Sequence, residues 1–152
     1  MTKLERLEDI AYRRGIKIHD FSFSKTKKAC CFYEMGEDFE YKAILLDKSR
    51  IKSRAEEALL LAEEVGHFET HSLYLIEATS NTPAARSSRR KYEAQAKRWG
   101  VKYLVSKSQI QEAFDSGYVM DYEIAEFCGV DLGTLRKAME FYRQENVVFD
   151  IP

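Results

Sequence analysis

Apolar residues near the start of the chain recur with the spacing of an amphipathic helix. The apolar residues are Leu4, Leu7, Ile10 and Ala11, and Gly15 follows them. Because a helix has about 3.6 residues per turn, this spacing places the four side chains on one face. The glycine is typical of a helix end. The pattern therefore predicts a first helix over residues 4–14.

Three short segments of strand character follow this helix, at residues 16–23, 29–33 and 41–46. They are rich in β-branched and aromatic residues, which favour strands. The stretch 34–38 between the second and third segments is turn-rich and contains Gly36, so it predicts a hairpin. We interpret the three segments as a small antiparallel sheet.

The rest of the chain is mainly helical in pattern. Residues 53–68 carry an apolar face broad enough to predict a helix central to the core. Residues 72–88 form one long irregular stretch, of a length that is often functional. Either Ser106 or Ser108 is suited to cap a later helix. Four further helices are predicted, at residues 85–104, 106–117, 122–127 and 132–142. The predicted fold class is therefore α+β, with a helical C-terminal part.

The length of 152 residues favours a single domain with a real core. We expect this domain to span residues 1–145, with residues 121–145 as a C-terminal helical pair and residues 146–152 as a tail. The chain has 24 basic and 25 acidic residues, a balance that gives no general field for binding polyanions.

The chain has no apolar run near the roughly 20 residues that a membrane helix requires, and no apolar signal core follows its first residues. We therefore expect a cytoplasmic protein. The cysteines agree with this expectation, because Cys30 and Cys31 are adjacent and Cys128 stands alone. This spacing predicts reduced, partly buried thiols.

The most informative stretch places Glu63, Glu64 and His67 within one turn of the central helix. This is the layout of the zinc-protease helix H-E-x-x-H, with Glu63 in place of the first histidine. Positions i and i+4 share a helix face, so Glu63 and His67 could hold one metal ion, with Glu64 able to reach a water molecule.

Two further residues strengthen this interpretation. Gly66 lies inside the helix, where glycine costs about 1 kcal/mol relative to alanine, so we expect another backbone or a substrate to pass close to it. Glu93 lies beside the apolar stripe of the next long helix, where a carboxylate is costly to bury unless it is paired or bound to a metal.

These residues resemble the ImmA/IrrE family of metallopeptidases. Many members have H-E-x-G-H in the helix, and a branch found in phage and integrated elements has L-A-E-E-x-G-H, which residues 61–67 match at each fixed position. The family also has a later E-x-x-A-x-x-F/W-A, matched by residues 93–99 with Gly100 in place of the final alanine. The resemblance covers most of the chain.

The resemblance implies a zincin-like site in which Glu63, His67 and Glu93 bind the metal and Glu64 acts as the general base. The implied cofactor is Zn²⁺. Because two carboxylates already neutralise a divalent cation, we expect a weaker Lewis acid, and therefore slower or partner-dependent cleavage, or a preference that moves toward Mn²⁺ or Fe²⁺. As an alternative, His71 could pair with His67 if the helix continues that far.

The resemblance also implies a partner, because family members relieve repression by cleaving or inactivating a helix-turn-helix repressor, often one of a prophage or integrated element. A second hypothesis is a non-catalytic antirepressor that sequesters the repressor. A third is a DNA-binding regulator that uses residues 121–140, although Arg136 and Lys137 are the main basic groups there. Six basic residues around Glu93 could meet an acidic partner or phosphates, or form a solvated face: Arg86, Arg89, Arg90, Lys91, Lys97 and Arg98.

Overall fold

A computed structural model describes residues 1–24, 26–71 and 82–152. The described elements are α1 (Lys3–Arg13), β1 (Ile16–Asp20), β2 (Ala29–Met35), β3 (Glu40–Leu46), α2 (Arg54–Glu69), α3 (Pro83–Leu104), α4 (Lys107–Asp115), α5 (Asp121–Cys128) and α6 (Leu132–Gln144). The predicted α+β class is confirmed. Among the described residues, no helix is both long and apolar enough to cross a membrane.

The first helix begins and ends with the signals expected from its sequence. Thr2 caps α1 in a reciprocal box with Glu5, in which each side chain bonds to the other residue's backbone N–H. Leu4, Leu7 and Ala11 are buried on its inner face.

The sheet is mixed rather than antiparallel, which corrects the sequence prediction. Its strand order is β1-β3-β2, with β2 antiparallel to β3 and β1 parallel to β3. After β1 the chain crosses to the far edge, forms β2, and returns through the hairpin to place β3 in the centre. Alternating hydrophobicity defines the inner face of a strand but does not define its neighbour or direction, so the pattern could not predict the parallel pair.

The central helix α2 packs against both α1 and the sheet. Ser53 caps its N-terminus by accepting a hydrogen bond from the backbone N–H of Glu56. Leu61 and Val65 are fully buried, together with Ile44 of the central strand β3. The buried face of α2 therefore leaves its opposite face for polar side chains.

The start of α3 corrects the predicted irregular stretch 72–88. The helix already begins at Pro83, and the Thr82 hydroxyl accepts a hydrogen bond from the backbone N–H of Ala85. Proline is favoured at the first helical position because it has no N–H to leave unsatisfied. Residues 72–81 of the predicted loop lie outside the described residues.

The chain divides into two compact units, Met1–Gly100 and Val101–Pro152. In the second unit, Ser106 caps α4 as predicted. The predicted tail, residues 146–152, packs on this unit through Phe149. The Phe149 ring lies against the rings of Phe114 and Tyr142, at centroid distances of 5.9 and 6.2 Å. The extent of the single domain, residues 1–145, stays a prediction.

Candidate metal centre

Helix α2 carries three of the four predicted site residues. Glu63, Glu64 and His67 lie in its last two turns, and α2 ends at Glu69. The His67 side chain is buried, with 8% of its surface exposed, whereas Glu63 and Glu64 are partly buried. A buried imidazole within a group of carboxylates has an environment that favours either protonation or metal binding.

Two glycines allow α2 and α3 to approach at backbone distance. A Cβ at Gly66 would lie 2.5 Å from the backbone oxygen of Ala96, and a Cβ at Gly100 would lie 2.8 Å from the carbonyl carbon of Ala62. Both positions therefore need a residue without a side chain. The expectation that another backbone passes close to Gly66 is confirmed, and that backbone belongs to the helix that carries Glu93.

The close packing brings His67 and Glu93 together. The Nε2 atom of His67 lies 3.3 Å from Oε1 of Glu93, whose side chain is 56% exposed. The pair thus joins a buried nitrogen to a carboxylate that reaches solvent. The α2 motif ends at His67, 26 positions before Glu93, so the helix crossing is what makes them neighbours.

The Glu64 carboxylate has a partner that the sequence did not indicate. Its Oε2 atom accepts a hydrogen bond from the thiol of Cys31 at 2.7 Å, and the same sulfur lies 3.2 Å from the Glu64 backbone oxygen. Cys31 is on β2, so the spacing of residues in the α2 motif could not predict this contact. Cys30, Cys31 and Cys128 are free cysteines in the described residues.

The electrostatics link these groups into one site. Burial raises the pKa of Glu64, and this effect outweighs the opposing effects of the Cys31 hydrogen bond and the charge of His67. Burial alone would lower the pKa of His67, but the hydrogen bond to Glu93 and the nearby charges of Glu64, Glu93 and Glu63 raise it. The hydrogen bond to His67 lowers the pKa of Glu93.

The His67–Glu93 pair has donors and spacing that fit a divalent cation. Zinc bonds of about 2.0–2.1 Å in a tetrahedral site place two ligands about 3.3–3.4 Å apart, which is the separation of Nε2 and Oε1 here. Within residues 1–24, 26–71 and 82–152, however, there is no group of three or more His, Cys, Asp or Glu side chains placed to hold a metal ion. The metal site and all three of its predicted ligands, Glu63, His67 and Glu93, therefore stay a prediction.

The condition for the His71 alternative does not hold. Helix α2 ends at Glu69, and His71 follows with a positive φ of 56°. His71 therefore does not continue the helical face of His67.

The remaining histidine, His19, lies on β1, with its Nε2 atom 3.0 Å from the hydroxyl oxygen of Tyr41 on β3.

An open cavity of about 630 Å³ lies along α3 beside Glu93. Its described lining is basic apart from Glu93 and Ala94 and consists of Arg86, Arg89, Arg90, Glu93, Ala94 and Lys97. Four of the six predicted basic residues thus share the side of the helix that bears the candidate ligand. The remaining two, Lys91 and Arg98, do not line it.

Helices α5 and α6 form the predicted C-terminal helical pair. Gly129 turns the chain between the helices at a φ of 68°, and Asp131 caps α6. Arg136, one of the few basic residues at this end of α6, forms an ion pair with Asp121 at 2.8 Å. This pairing reduces the positive charge available to a DNA phosphate.

Comparison with known families identifies the class of protein. Residues 11–140 match Peptidase M78, the IrrE N-terminal-like domain. The chain therefore belongs to this metallopeptidase-like family, and the resemblance to ImmA/IrrE proteins is confirmed. No curated protein and no solved structure matches the chain significantly.

Proposed function

We propose that this protein is a metal-dependent endopeptidase-like antirepressor, acting in the cytoplasm. Membership of the Peptidase M78 family supports peptide hydrolysis as the reaction class. The observation that carries the proposal is the 3.3 Å contact between the buried His67 imidazole and the Glu93 carboxylate. Two helices built around glycines bring these groups together, which is the kind of rigid support a catalytic site needs.

The proposed ligands are His67, Glu93 and Glu63, with Zn²⁺ as the first candidate and Mn²⁺ or Fe²⁺ as alternatives suited to a carboxylate-rich site. When bound, the cation would supply Lewis acidity at the scissile carbonyl. Glu64 would take a proton from the attacking water and pass it to the leaving nitrogen.

The proposed substrate is a helix-turn-helix repressor of a prophage or integrated element. This part of the proposal rests on the family resemblance. The exposed Glu93 carboxylate beside an open cavity would be accessible to a protein substrate.

The test is cleavage of the helix-turn-helix regulator encoded beside this protein. Glu64→Gln should reduce the cleavage rate by about 10²- to 10⁴-fold, the usual contribution of a general base. Glu57→Gln is the matched control, because Glu57 is on the same helix about two turns from Glu64. Equal rates in the wild type and Glu64→Gln would refute the proposed role of Glu64.

A second candidate function is stoichiometric sequestration of the same repressor without cleavage. It is favoured by Glu63 in place of a histidine and by the absence, among the described residues, of a ready-made group of three metal donors. Relief of repression that survives Glu64→Gln, with the repressor intact on a gel, would establish sequestration.

A further inference from the structure

The thiol of Cys31 is placed to act on the carboxylate of Glu64. The sulfur lies 2.7 Å from Oε2 and 3.2 Å from the backbone oxygen of the same residue. A backbone carbonyl oxygen and an ionised carboxylate oxygen only accept hydrogen bonds, so the single thiol hydrogen is the one shared, and the shorter contact is the one to Oε2. Cys31 is therefore a donor to Glu64.

The position of Cys31 in the sheet makes this contact specific. Cys31 pairs with Ile44 of β3, and β2 packs against α2. Successive side chains on a strand point to opposite faces, so Cys31 faces α2 whereas Cys30 faces away from it. The two adjacent thiols, both partly buried, thus have different surroundings.

Resting on the proposed function, we propose that Cys31 is a positioning residue for Glu64. Its S–H group donates to Oε2 and holds the carboxylate, which leaves Oε1 as the oxygen that accepts the proton from water. A glutamate side chain has three rotatable bonds, and an anchored carboxylate does not have to be ordered again in each reaction cycle. A donor in a partly buried site also acts more strongly than it would in water.

Two substitutions separate hydrogen bonding from packing. Cys31→Ser keeps a donor and reduces the size of the side chain, whereas Cys31→Val fills the space and removes the donor. We expect Cys31→Val to lower kcat for regulator cleavage by about 10- to 100-fold with little change in KM, as is usual for residues that orient a reacting group. Cys31→Ser should retain most of the kcat. A packing role predicts the reverse order.

Cys30→Val is the matched control, since it makes the same change at the neighbouring position on the other face of β2. It should leave kcat and KM unchanged. Thermal unfolding of all three variants confirms that each is folded at the assay temperature.

A spectroscopic readout tests the contact without any activity. The infrared S–H stretching band of Cys31, assigned by its loss in Cys31→Val, should lie at lower frequency than that of Cys30. In Glu64→Ala the Cys31 band should move up, toward the frequency of a thiol without a strong acceptor.

Each outcome decides the proposal. A Cys31 band that does not respond to Glu64→Ala overturns it, whatever the activity. A band that responds, combined with wild-type kcat in Cys31→Val, also overturns the positioning role. If the wild type cleaves no regulator, the proposed function fails, and the band alone then decides whether Cys31 holds the Glu64 carboxylate.

Discussion

Gly66→Ala tests whether the contact between α2 and α3 builds the site. The new Cβ would lie 2.5 Å from the Ala96 backbone oxygen, about 0.9 Å short of the 3.4 Å at which ordinary contact begins. The oxygen belongs to a helix backbone, so it cannot rotate away as a side chain would. The helices must separate, or the contact must remain strained.

The expected loss of stability follows from two opposing effects. Overpacking costs typically about 1–3 kcal/mol, and a clash with backbone belongs at the upper end of that range. Alanine in place of a helical glycine offsets about 1 kcal/mol. We therefore expect Gly66→Ala to lower the free energy of unfolding by about 2 kcal/mol. For a chain of this size the corresponding fall in Tm is about 4–8 °C.

Separation of the helices should also affect the site. A shift of about 0.9 Å would widen the 3.3 Å distance from His67 Nε2 to Glu93 Oε1 toward about 4 Å, beyond hydrogen-bond range. Urea unfolding measures the stability, and regulator cleavage reports the site.

The control for this prediction is Gly133→Ala in α6. The atom that the new Cβ would meet is a side-chain oxygen of Asp131, at 3.2 Å, rather than backbone. That oxygen caps α6 by accepting a hydrogen bond from the Thr134 N–H and must shift by a few tenths of an ångström, a cost that the better helix propensity of alanine offsets. The loss of stability should therefore be well below the loss of about 2 kcal/mol expected for Gly66→Ala. A Gly66→Ala protein as stable as the wild type would refute the argument that the glycine is required by close packing.

Two further predictions concern pH-dependent stability. Asp47 is buried and accepts hydrogen bonds from the Ser49 hydroxyl and the Phe23 N–H, and these contacts lower its pKa. Asp47→Asn should therefore be less stable than the wild type at neutral pH, and the difference should vanish as the pH falls through the lowered pKa, as urea unfolding across acidic pH would reveal. Burial raises the pKa of Tyr142 to about 12, so the wild type should lose stability as the pH rises from about 10 to that value. The free energy of unfolding of Tyr142→Phe should fall less steeply over this range. Equal slopes of unfolding free energy against pH in the two proteins would contradict the prediction.

The helical parts of the fold follow closely from the sequence because their signals are local. The spacing of Leu4, Leu7 and Ala11 and the caps at Thr2 and Ser106 each act within one or two turns. The i and i+4 relation that groups Glu63 with His67 on one face is equally local. Local rules could therefore predict the helices and most of the α2 motif.

The features that the sequence could not supply are those set by contacts distant along the chain. The parallel pairing of β1 with β3 depends on which edge β2 occupies, and hydrophobic alternation carries no information about that choice. Cys31 reaches Glu64 from another strand, so nothing in the α2 motif indicates it. Thr82 and Pro83, in contrast, were a readable start signal for α3 inside the stretch predicted to be irregular.

The central claim is that His67 and Glu93 bind a divalent cation between α2 and α3. The most direct measurement is the metal content of protein purified without added metal, by mass spectrometry, for the wild type, His67→Ala and Glu93→Gln. We expect about one zinc, manganese or iron ion per wild-type chain and little metal in either variant. Equal metal content in all three proteins, or a wild type that binds none of these ions even when they are supplied, would contradict the claim.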